Sequence, residues 1–171
     1  MPKLAALAVS VGVLAVVATW LFGLDPLTAA KLQVWQAFIA WGCHFHSGGK
    51  ITGTRNTVVC MIFGAIVGMV AALLIGPLGP LGALAAPVAV GLGATLIVLA
   101  SRLPLLATIP ASVYGFAAIF ALISLGAGMT PVGALVPTVL SIVIGAAFGY
   151  VSEILADALT KKGAVAEGAA A

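Results

Sequence analysis

The chain has 171 residues, of which 63% are hydrophobic and only 6% charged, where a soluble domain carries about 25% charged residues, so a water-soluble coat is excluded. Between Asn56 and Ser152 the only formal charge is Arg102, and a run of that length without charge calls for lipid as its solvent. The net charge of +3 comes from seven Lys and Arg placed singly or in one pair, which gives no basic patch for nucleic acid.

Six apolar stretches follow one another, at 4–23, 27–46, 57–76, 82–101, 104–126 and 132–156. Each suits one crossing of about 20 residues, and each is continuous rather than alternating, which favours helices over a barrel. The first follows Met1-Pro2-Lys3 in the manner of a secretory signal. Asp25-Pro26 reads as an N-cap with proline at the first helical position. It predicts a second helix that leaves Lys31 to snorkel and stops at Gly48-Gly49. Turns are predicted at Gly76-Pro77-Leu78-Gly79-Pro80, at Arg102-Leu103-Pro104 and at Gly126-Ala127-Gly128-Met129-Thr130-Pro131. Pro110 predicts a kink or interruption of the fifth helix at Thr108-Ile109-Pro110. Glu153 and Asp157, with Lys161-Lys162 beyond them, read as a solvated helix end, and residues 161–171 as a disordered cytoplasmic tail.

Basic residues in short loops mark the cytoplasmic side. With the amino terminus inside, Lys3, Lys50, Arg55, Arg102, Lys161 and Lys162 fall inside and only Lys31 outside. The expectation is a multi-pass protein of a bacterial cytoplasmic (inner) membrane, with both termini and the 47–56 loop cytoplasmic.

Sliding the chain against itself by 81 residues pairs Leu4 with Ala85 through Gly79 with Thr160 without a gap, giving 17 identities in 76 pairs. Roughly half that is expected by chance from a chain so rich in Ala, Val, Leu and Gly. The first stretch is one member of this match, which argues that it is retained and not cleaved as a signal. The fold class expected is therefore all-α, a polytopic membrane protein of six transmembrane helices. Residues 1–80 form a first three-helix repeat and 81–160 a second. Three crossings per repeat make the repeats inverted, a construction used by many transporters and channels, although duplication of a purely structural unit gives the same pattern.

Gly64-x-x-x-Gly68 and Gly145-x-x-x-Gly149 occupy equivalent repeat positions and predict close helix packing. The second and fifth stretches concentrate aromatic and polar groups, and supply the candidates for a solute path: Trp35, Gln36, Phe38, Trp41, His44, Ser112, Tyr114, Phe116, Phe120 and Ser124. Trp35 and Phe116 are repeat equivalents, so aromatic rings from both halves are expected to close a constriction, with interfacial anchoring as the competing account. Cys43, His44 and His46 raise the question of a metal. His44 and His46 point about 200° apart on a helix and only Cys43 shares a face with His46, so no metal and no other cofactor is expected. The histidines are read instead as lining a cytoplasmic mouth with Ser47, Lys50, Thr52, Thr54 and Arg55. The two cysteines in apolar sequence read as buried free thiols. No phosphate loop, paired membrane carboxylate or nucleophile–base set is visible, so an enzyme is not expected.

Trp35…Phe38…Gly42-Cys43 leading into Ser47-Gly48-Gly49, together with Ile109-Pro110-Ala111-Ser112…Gly115, resembles the bacterial inner-membrane proteins grouped as domain-of-unknown-function family 1097. The resemblance implies a multi-pass membrane protein and brings no substrate or catalytic residue; His44 and His46 stand where that family has mostly small or apolar groups. The function expected is a channel or facilitator for a small neutral or weakly polar solute of the urea, short amide, ammonia or carbon dioxide class. The alternatives are a non-transporting membrane scaffold or accessory subunit and, third, a metal-handling protein. The expected partners are the lipid bilayer and such a solute, with self-association left open.

Overall fold

The computed structural model describes the backbone of residues 1–125 and 128–168 and the side chains of residues 1–125 and 128–160. All regular elements among them are helical: α1 (Lys3–Phe22), α2 (Asp25–Ala29), α3 (Val34–His46), α4 (Lys50–Leu74), α5 (Ala85–Ala100), α6 (Ile109–Leu125) and α7 (Pro131–Gly168), with 3-10 turns at Gly79–Leu84 and Pro104–Leu106. Four spans are long and apolar enough to cross a membrane: Lys3–Phe22, Lys50–Leu74, Gly79–Ala100 and Pro131–Thr160. The helix α6 is apolar but has only 17 residues. At 13 residues, α3 is about 20 Å long, short of a hydrocarbon layer of about 30 Å.

Several boundaries differ from those expected. The second stretch is not one helix. Asp25 is the first residue of α2 and not its cap, which is Leu24. The chain then leaves the helix at Lys31, with φ 60°, and runs extended through Gln33 before α3 begins. Tertiary contacts compensate the break: Leu32 packs with Phe22 and Ala37, and the Gln33 N–H donates to Ser141 Oγ at 3.0 Å. The loop expected over 47–56 shrinks to Ser47, Gly48 and Gly49, because α4 begins at Lys50. Positive φ at Gly48, Gly49 and Lys50 completes that reversal. In the fifth stretch the interruption falls at Ala107-Thr108, and Pro110 lies in the first turn of α6, where its missing N–H leaves no bond unmade. Of the turn expected over 126–131, Gly126 and Ala127 lie outside the described residues. Beyond residue 160, where the tail was expected, α7 continues to Gly168, and 169–171 lie outside the described residues.

The centre is built by α3, α4, α6 and α7. The helix α4 packs on α6, α7 packs on α3, and α4 and α7 cross one another; α1 lies against α7 and α5 against α4. Contact register gives the directions. Gln33 meets Ser141 and His44 meets Glu153, so α3 and α7 run parallel. Gly64 meets Ser112, and Gly68 meets Ile119, so α4 and α6 run parallel as well. The three-residue turn between α3 and α4 makes that pair antiparallel. Gly64 and Gly145 are where the crossings are closest: a methyl group at Gly64 would collide with the Ser112 carbonyl, and one at Gly145 with the Ala37 carbonyl. Gly68 lies against Phe116 and Ile119, and Gly149 against the His44 ring. Gly115, on α6, abuts the Met61 carbonyl in the same way. Ala40, Cys43, Cys60, Met61, Ala65, Ala111, Ile119 and Ile142 fill the space between these helices.

Candidate functional site

A seam of polar contacts runs the length of α3 through an otherwise apolar core. At its first residue end, the Gln33 N–H reaches Ser141, and Gln33 also lines a cleft of about 410 Å³ with Thr19, Phe22, Thr28, Lys31 and Leu32. One turn on, fully buried Gln36 donates through Nε2 to the Ala118 carbonyl and to Thr138 Oγ1, both at 3.0 Å. A carbonyl can only accept, so this fixes which end of the amide is nitrogen. Gln36 Oε1 is then left without a partner, as are the buried hydroxyls of Thr57 and Ser112. Further along, Trp41 Nε1 donates to Ser152 Oγ at 3.1 Å, and Ser152 donates on to the Gly149 carbonyl. Ser10 of α1 donates to the Ser152 carbonyl, so a third helix joins at this level.

The seam closes on a contact between His44 and Glu153. His44, with no solvent exposure, places Nε2 2.9 Å from Glu153 Oε2, and its Nδ1 lies 3.2 Å from Thr54 Oγ1. The Glu153 carboxylate also accepts the backbone N–H of Lys50 at the start of α4, where the helix dipole favours an anion. Lys50 has φ 51°, a left-handed conformation that costs a non-glycine residue about 1–2 kcal/mol. Gly49 is held at φ 67°, and any side chain there would strike Glu153.

The path candidates separate into three groups. Gln36, Trp41, His44 and Ser112 are buried. Trp35, Tyr114, Phe116 and Phe120 are half-buried. Phe38 and Ser124 are exposed on the outside, where the bilayer would meet them. Trp35 and Phe116 form no aromatic pair with each other among the described residues. Trp35 Nε1 donates to Gln33 Oε1, while Phe116 stacks on Phe120 at 5.0 Å and rests against Gly68 and Gly93, toward α4 and α5. Trp41 is sandwiched between Phe38 and Phe148 at 5.7 and 5.4 Å. Tyr114 meets His46 edge-on at 6.0 Å.

Two expectations change. His44 does not line an open mouth, because Glu153 and Thr54 enclose it, whereas His46 is exposed. Glu153 is not merely part of a solvated helix end; its side chain is 27% exposed and engages two other helices. The sequence offered one signal for this, an acid at the apolar end of the sixth stretch in a chain with four acids in all.

Residues 8–157 match the family described as Protein of unknown function (DUF1097). The chain belongs to that family. The match covers every residue of the seam, from Gln33 to Glu153. No curated protein and no solved structure matches the chain.

Proposed function

We propose that this DUF1097 protein is a membrane facilitator for a small neutral or weakly polar solute, built as two inverted three-helix repeats and held here in an occluded state. The repeat reading has two supports. Of the nine buried residues of α4, eight have a buried equivalent 81 positions on in α7: Gly53, Thr57, Cys60, Met61, Gly64, Ala65, Gly68 and Ala71 correspond to Ala134, Thr138, Ser141, Ile142, Gly145, Ala146, Gly149 and Ser152. The exception is Val67, opposite half-buried Phe148. The directions agree as well, since α4 is antiparallel to α3 and α3 parallel to α7, so the equivalent helices α4 and α7 run oppositely. Each half thus lends its middle helix to the other, α3 to α7 and α6 to α4. On this reading the membrane is a bacterial inner membrane and the end carrying Lys3, Lys50 and Arg55 is cytoplasmic.

The observation that carries the transport reading is the seam itself. A structural packing surface in lipid is served by small residues, whereas this one holds Gln36 fully buried with an acceptor to spare. A polar solute passing along α3 would regain hydrogen bonds there that it loses on leaving water. The cleft beside Lys31 and Gln33 is its entrance from one side, and the His44–Glu153 pair its closure on the other. In purified liposomes the protein should speed equilibration of urea, acetamide, ammonia or carbon dioxide, and Gln36→Ala should change the rate about tenfold or more for a solute that uses the amide. Background rates for all four would remove the facilitator reading. A scaffold or accessory subunit is then the better account, favoured by the dense packing around Trp41 and at the glycine crossings.

A further inference from the structure

At the corner where α1, α2 and α3 meet stands a cation that no described carboxylate neutralises. Lys31 is exposed and forms no ion pair among the described residues. Of the four acids only Asp25 precedes residue 153, and it does not pair with Lys31. Lys31 also has φ 60°, a left-handed conformation that suits glycine and disfavours any residue with a Cβ, so the backbone alone gives no reason for a lysine there. The donors at this corner are not used up. Gln33 Nε2 spends one of its two hydrogens on the Lys31 carbonyl, while Gln33 Oε1 accepts from Trp35 Nε1. The second amide hydrogen and the ammonium are left over, and together they suit an oxyanion.

Two hollows adjoin at this corner. Lys31, Gln33 and Thr19 line the cleft of about 410 Å³. Thr19 also borders a second hollow on α1, formed with Ala15, Val16 and Trp20. Their order follows the helix: the charged cleft lies at and beyond the last turn of α1, and the second hollow runs back from Thr19 and Trp20 to Ala15 and Val16, one turn earlier. In a bilayer that order sets a polar site at headgroup depth and an apolar groove beneath it. Exposed Trp20 stands at the boundary, the depth an indole ring prefers. A free anion has no use for the groove, and a hydrocarbon chain alone has no use for Lys31. A molecule that carries both a phosphate and an acyl chain fits the two hollows together.

We infer that the Lys31 cleft and the α1 groove form one binding site for an anionic phospholipid, with its phosphate against Lys31 and Gln33 and an acyl chain along Ala15 and Val16. The cleft is also the solute entrance proposed above, so a seated headgroup narrows that entrance. This consequence rests on the facilitator reading; lipid binding does not.

The site is tested on the whole protein in a neutral detergent, by native mass spectrometry with dioleoyl-phosphatidylglycerol and dioleoyl-phosphatidylcholine. The anionic lipid should bind about fivefold or more tighter than the zwitterionic one, the factor that one lysine near the headgroups supplies. Soluble glycerol phosphate, a head without a chain, should fail to displace it at equal concentration. Equal binding of the two lipids overturns the proposal, and displacement by glycerol phosphate as effective as by the lipid overturns it in favour of a free-anion site. Neither result needs a variant to fold. Lys31→Gly should abolish the preference while the Tm in the same detergent stays unchanged or rises, because glycine accepts the left-handed backbone. A preference that survives Lys31→Gly overturns the assignment to this cleft. Ala15→Phe, which fills the groove, should weaken binding of both lipids, and unchanged binding there overturns the place given to the acyl chain. None of these readouts involves solute flux, so they stand or fall apart from the facilitator reading.

Discussion

At the scale of single residues, the glycines separate by what surrounds them and not by motif. Gly64 and Gly145 face carbonyl oxygens of a neighbouring helix, which cannot retreat as a side-chain tip can. Gly64→Ala and Gly145→Ala should each lower stability by about 1–3 kcal/mol in detergent unfolding, as overpacked cores do. Gly12 and Gly91 lie in helices with nothing near the position of a Cβ. Gly12→Ala and Gly91→Ala should therefore leave stability unchanged or raise it by about 0.5–1 kcal/mol, the helix-propensity difference. Equal losses at all four positions would mean that close approach is not what these crossings require. The GxxxG spacing made Gly64, Gly68, Gly145 and Gly149 legible in the sequence. Gly115 carries the same kind of contact with no such spacing around it.

At the scale of elements, α3 is short, follows a break, and is tied to its neighbours by side-chain hydrogen bonds. The break was hidden because Lys31-Leu32-Gln33 sits inside an apolar run. The Lys31 and Leu32 N–H groups bond locally, to the Thr28 and Leu27 carbonyls, but the Gln33 N–H finds its partner only at distant Ser141. The bond between Gln36 and Thr138 predicts coupling of α3 to α7. In a double-mutant cycle, Gln36→Met and Thr138→Val should show an interaction energy of about 0.6–2 kcal/mol, the range for hydrogen bonds between membrane helices. Additive losses would show that the two side chains act independently and that the seam is a sum of local contacts.

At the scale of the whole molecule, Lys3, Lys50, Glu153 and Asp157 gather at one end, and Lys31 lies by the cleft at the opposite end of α3. Single cysteines placed at Lys31 and at Lys50, in a background with Cys43 and Cys60 replaced by Ala, should react with an impermeant maleimide from opposite sides of the membrane. Lys31→Cys should be labelled in intact cells and Lys50→Cys only after lysis. Labelling of both from the same side would break the proposed topology and, with it, the inverted arrangement of the repeats.

Sequence alone determined that the chain is an all-helical protein suited to a membrane and which family it belongs to, since near-absence of charge over a long run leaves lipid as the only solvent. It also carries 17 identities in 76 pairs at an offset of 81 residues, the pattern behind the proposed repeat. Only the tertiary structure decided where the second stretch breaks and which polar residues meet. Hydrogen bonds such as Gln36 to Thr138 and His44 to Glu153 join positions 102 and 109 residues apart. No local pattern encodes such pairs, because helical periodicity says which face a residue occupies and not which helix will cover it.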